Sequence, residues 1–149
     1  MQGNAARWRS IRPWLMVAAW YALIFWFSAQ SGDVSEWQSR RVEDFAGADT
    51  LLMLPVRKWA HVLLFAVQGG LCCRAWRMNG LRGWALPLAA VGLCAALGAL
   101  DEVHQIFVPE RSALVIDAVI DTLSAGAGIV FYLSVRRAIT RKRARADSN

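Results

Sequence analysis

Paired cysteines are missing from this chain of 149 residues. Its three cysteines, Cys72, Cys73 and Cys94, all lie inside apolar stretches. With an odd count, no secreted spacing and no histidines beside them, a disulfide framework and a cysteine–histidine zinc site are excluded. Small buried thiols are the expected state. No internal repeat appears, and no low-complexity segment beyond a basic run at the C-terminal end. A nucleic-acid-binding pattern is absent too, although the net charge is +6 and the pI near 10.0. The basic residues gather at the ends of apolar stretches, so no nucleic-acid partner is expected. Charged residues are scarce, at 19%, while 56% are apolar and the mean hydropathy is +0.32. That is too apolar for a water-soluble domain of this length, and the clumping of the apolar residues points to a bilayer as solvent.

Four clumps are present, at about 13–29, 59–76, 84–100 and 113–135. At ~1.5 Å per residue such helices cross a hydrocarbon layer of ~30 Å with modest tilt. The expected fold class is therefore an all-α integral membrane protein, a bundle of four transmembrane helices forming one domain. The first stretch follows Arg7, Arg9 and Arg12 and could pass for a cleavable signal. Its length, its Trp and Phe content and the lack of a small-x-small exit around Phe27 and Ala29 favour a retained helix. Trp14, Trp20, Trp59, Trp76 and Trp84 stand at or near span ends, where interfacial anchors belong.

Orientation follows from the Lys/Arg distribution. The N-terminal segment, the short connection with Arg74, Arg77 and Arg82, and the run from Arg136 to Arg145 hold twelve of the seventeen basic residues on one side. The positive-inside rule then places both termini in the cytoplasm, with 136–149 as a basic cytoplasmic tail. The other side carries a long connection, in which Asp33 to Ala46 presents Val34, Trp37, Val42 and Phe45 on one helical face. A short interfacial helix is one reading of that segment, and an ordinary surface loop is the other.

Ionisable groups collect at the outer end of this bundle. Arg57, Lys58 and His61 open the second span; Asp101, Glu102, His104 and Gln105 close the third; Arg111, Asp117 and Asp121 begin the fourth. Asp117 and Asp121 are four apart and share a helix face, continued by the small residues Ser124 and Gly128. Asp101, His104 and Gln105 share a face if the third helix extends that far. An Asp at the centre of a spanning helix costs roughly 2.5–3.5 kcal/mol on insertion scales. These acids must therefore be protonated, paired with Arg57, Lys58 or Arg111, or exposed to a hydrated cavity. A buried salt-bridge network and an outward-open polar pocket both satisfy that requirement. A metal site built from His61, His104 and the carboxylates is one reading, but no His-x-x-x-His spacing is present, so neither a metal nor a cofactor is expected from the pattern. Ser28, Ser31 and Ser112 have no local partner for a nucleophilic triad.

The run Asp101-Glu102-Val103-His104-Gln105-Ile106-Phe107-Val108-Pro109-Glu110-Arg111, followed by Asp117, resembles the hallmark of VanZ-like membrane proteins. Lys58 and His61 match that family's Lys-x-x-His, Gly69 its following glycine, and Ser28 with Gln30 its Ser-x-Gln after the first span. Where the family often has Asn, this chain has Asp121; where it often has Gly, this chain has Ser124. The resemblance implies a bacterial inner-membrane protein of the cell envelope, in a family named for a link to teicoplanin resistance. Its ligand would be a membrane lipid, a lipid-linked envelope intermediate or a similar anionic amphiphile. Lys58, Arg57 and Arg111 would bind an anionic headgroup, with Ser28, Gln30 and Asp121 beside them. His61, Asp101, Glu102, Gln105 and Asp117 are the candidate acid–base and polar-pocket residues. A small proton-coupled transporter or flippase subunit and a non-catalytic scaffold are the alternatives.

Overall fold

The computed structural model describes residues 2–30, 56–109 and 114–147. The segment from Asp33 to Ala46, with its expected interfacial helix, lies outside the described residues, as does Arg111. Four helices are present: α1 (Gln2–Ser28), α2 (Val56–Met78), α3 (Ala85–Gln105) and α4 (Val115–Ala146). No strand occurs among the described residues. α1 begins well before Pro13, the expected start of the first span, and carries that proline in its interior. α4 runs on through the basic residues to Ala146, so Arg136 to Arg145 extend the last helix. At ~1.5 Å per residue its 32 residues reach roughly 48 Å, well beyond a ~30 Å hydrocarbon layer.

Three helical segments are long and apolar enough to cross a membrane: Arg7–Ser28, Ala85–Gln105 and Val115–Ala146. α2 has the length, at 23 residues, but His61, Gln68 and Arg74 dilute its hydropathy. It packs against all three others and makes the most extensive contact of any helix pair, with α4. Its polar groups can therefore face protein: Gln68 is fully buried and its amide donates to Val17 O at 3.5 Å.

The turn from α2 to α3 is built by glycine. Gly80 has φ +97°, Gly80 N–H donates to Arg77 O at 3.1 Å, and Leu81 N–H reaches back to Trp76 O at 3.1 Å. This pair of bonds is a Schellman motif, which needs a left-handed residue after the helix and satisfies two of its last carbonyls. α2 and α4 approach more closely than any side chain allows. A Cβ on Gly69 would fall on Ala125 O, and one on Gly128 on Ala66 O, both backbone atoms. Gly128 thus fits the small-residue face expected from Asp117, Asp121 and Ser124.

Contacts at both ends give an up–down–up–down order. At one end Asn79 Nδ2 donates to Ser10 O at 3.2 Å and Trp14 packs edge-on against Trp76 at 4.8 Å. An apolar core beside it holds Val17, Leu86, Ala90, Ala125, Ile129 and the three buried free cysteines. Midway, Trp20 Nε1 donates to Leu64 O at 2.9 Å and Tyr21 Oη to Leu97 O at 3.0 Å, pinning α1 to both neighbours. The outward faces are apolar and open, with Leu15, Leu63, Leu88, Leu123 and Phe131 all exposed. The opposite end, where α1 and α3 finish and α2 and α4 begin, is polar.

Candidate functional site

Helix direction assembles that polar end. Ser28 closes α1, Lys58 and His61 stand in the opening turns of α2, Asp101 to Gln105 finish α3, and Asp117 and Asp121 occupy the first two turns of α4. Four helix termini therefore bring eight polar side chains together from positions up to 93 residues apart.

Asp101 is the centre of one network. Its Oδ2 accepts from Ser28 Oγ at 2.8 Å and from Gln105 Nε2 at 2.9 Å. Gln105 also lies 3.4 Å from Glu102 Oε1. Glu102 Oε2 accepts from Leu114 N–H at 2.9 Å. Leu114 caps α4 without a side-chain acceptor of its own, so a carboxylate from α3 satisfies this donor and meets the positive end of the α4 dipole. A second pairing joins α2 to α4: Lys58 Nζ and Asp117 Oδ1 are 2.8 Å apart and half-buried. Of the three cations proposed as partners for the α4 acids, Lys58 therefore fills the role for Asp117. One turn deeper, His61 Nδ1 is 3.7 Å from Asp121 Oδ2.

Among the described residues, two buried oxygens of this cluster have no hydrogen-bond partner, Asp101 Oδ1 and Asp121 Oδ2. Asp101 is fully buried and Asp121 is 2% exposed. Buried polar atoms are normally satisfied, so two orphaned carboxylate oxygens in one place need an explanation. A small cavity beside Asp121 is lined also by Lys58, His61, Glu102, Gln105, Asp117 and Ile120.

Most of the expected site is thus gathered at one place: Ser28, Lys58, His61, Asp101, Glu102, Gln105, Asp117 and Asp121. Gln30 is half-buried just past α1 and joins none of the cluster's hydrogen bonds among the described residues. The side chain of Arg57, like all of Arg111, lies outside the described residues. The helix does extend to Gln105, but His104 turns away from Asp101 and Gln105 and stacks on Phe25 with ring centroids 4.0 Å apart. The triad of His61, Asp101 and Asp121 was not legible from spacing, since its members belong to three helices. Phe65, whose ring packs beside His61 at 6.2 Å, carried only the signal of its position one turn along α2.

The family model VanZ/LLP1 matches residues 13–136, from Pro13 in the interior of α1 through most of α4. No curated protein and no solved structure matches the chain.

Proposed function

The chain belongs to the VanZ/LLP1 family, and from that premise we propose that it holds the headgroup of an anionic amphiphile at the outer face of a bacterial inner membrane. All four helices cross the bilayer in this reading, with α2 enclosed by the other three and both termini cytoplasmic. The charge asymmetry supports that orientation, because Arg136 to Arg145 prolong α4 at the end opposite the acidic cluster. One observation carries the ligand class. A polar recess lies beside exposed apolar side chains at the same helix ends, with Phe107 77% and Val115 84% exposed. A headgroup over the recess and a tail along that rim match the two surfaces.

Lys58 and the arginines at positions 57 and 111 supply the positive charge for a phosphate, while His61 and Glu102 stand where a bound headgroup could exchange protons. A lipid-linked envelope intermediate is the proposed substrate class, and changed teicoplanin susceptibility is the phenotype that follows. A purely structural network accounts less well for the cluster, because such a network would leave no buried carboxylate oxygen unpartnered. The test is mass spectrometry of lipids co-purified with wild-type protein, Lys58→Ala and Arg111→Ala. Anionic lipids enriched in the wild type and depleted in both variants are expected. Indistinguishable lipid profiles would refute the reading.

A further inference from the structure

We propose that His61, Asp101 and Asp121 form a binding site for one divalent first-row transition cation of the Mn2+ or Zn2+ kind. One potential ligand atom from each residue lies within 4.8 Å of the other two. The three residues come from α2, α3 and α4, so the tertiary fold and not a local motif brings them together.

Four features point to a cation. The buried oxygens Asp101 Oδ1 and Asp121 Oδ2 accept no hydrogen bond from the described residues. The cavity beside Asp121 is about 20 Å³, room for one water-sized occupant. His61 Nδ1 and Asp121 Oδ2 stand 3.7 Å apart, too far for a hydrogen bond. Neighbouring ligands of a tetrahedral ion with bonds of ~2.1 Å are ~3.4 Å apart, so this pair closes by a few tenths of an ångström and the widest pair, within 4.8 Å, by at most ~1.4 Å. Finally, Asp101 Oδ2 is held by Ser28 and Gln105, while its Oδ1 is unengaged among the described residues. That is the arrangement by which hydrogen bonds around a metal site orient its ligands.

Charge agrees with geometry. Among the described residues, the lysine of the cluster, Lys58, is engaged by Asp117. A dication with neutral imidazole brings the triad to zero net charge. The imidazole nitrogen favours transition ions over Ca2+ and Mg2+, which prefer all-oxygen shells. Three protein ligands leave at least one position for water or a ligand oxygen. The site stands on this geometry alone and does not depend on the amphiphile reading.

The experiment uses full-length protein in detergent, purified without a histidine tag and stripped with chelator. Calorimetric titration with MnCl2 and ZnCl2 should show one equivalent per chain, with MgCl2 and CaCl2 binding at least tenfold more weakly. Asp101→Asn and Asp121→Asn should each weaken binding tenfold or more, and Ser28→Ala should weaken it through positioning. Pulsed electron paramagnetic resonance of the Mn2+ form should show coupling to one imidazole nitrogen, lost in His61→Gln. Absence of binding by helical, monodisperse wild-type protein would overturn the proposal, as would variants that bind like wild type. Should the variants fail to fold, bound Mn2+ without nitrogen coupling in the wild type is equally decisive against it. Lipid retention is measured in parallel, so that loss of one property with the other intact separates the two readings.

Discussion

Gly128→Ala is expected to be among the most damaging conservative changes in the chain. The added Cβ would meet Ala66 O, a backbone atom of α2 that no rotamer change can move aside. Relief requires α2 and α4 to separate locally by on the order of 1–2 Å, the shortfall from an ordinary contact of ~3.5 Å. Overpacking of this kind costs about 1–3 kcal/mol. Glycine-to-alanine replacement within a helix otherwise returns roughly 0.5–1 kcal/mol. Gly126 is the internal control: it lies two residues away on the same helix, and a Cβ there meets nothing within 4 Å. Gly126→Ala should therefore be neutral or slightly stabilising, whereas Gly128→Ala should destabilise by about 1–2 kcal/mol net. The assay is thermal unfolding in one detergent, followed by circular dichroism, where a kcal/mol corresponds to about 2–4 °C for a chain of this size. Equal melting temperatures for the two variants would show that the α2–α4 approach is not as close as described, and would remove the frame on which the Lys58–Asp117 and His61–Asp121 pairs rest.

Two further expectations concern parts of the structure that do not depend on a ligand. Glu102→Ala removes the acceptor for Leu114 N–H, so hydrogen exchange should quicken selectively in the first turn of α4; Glu102→Gln, which keeps an acceptor, should restore most of the protection. Unchanged exchange in Glu102→Ala would show that this carboxylate does not hold the helix start. Cys72, Cys73 and Cys94 are buried and free, so a water-soluble maleimide should label none of them in folded protein and all three after denaturation. Rapid labelling under native conditions would contradict the packing of the α2–α3 interface.

The bundle's outline was legible in one dimension because the bilayer is a severe constraint on composition. Apolar stretches of about 17–23 residues mark helices, since only internally hydrogen-bonded backbone survives in hydrocarbon. α3 ends at Gln105, just past its apolar stretch. The end of α4 was less legible, since helical hydrogen bonding continues through Arg136 to Arg145 after the apolar pattern stops. α2 was visible as an apolar stretch despite its diluted hydropathy, and its central place explains why the dilution is tolerated.

The site divides along the same physical line. Sequence by itself determined which residues share an end of the bundle, because alternating helix direction brings the end of one apolar stretch beside the start of the next. It also determined that Asp117 and Asp121 share a face, because that follows from 3.6 residues per turn. Partner choice was a matter of tertiary structure. Lys58 meets Asp117, His104 turns to Phe25, and Asp101 and Asp121 converge on His61 with one oxygen each left unpartnered among the described residues. Those outcomes depend on helix rotation and separation, which Gly69 and Gly128 set through backbone contact between residues more than fifty positions apart. Periodicity along one helix carries no record of its rotation relative to a neighbour, and only packing in three dimensions resolves it.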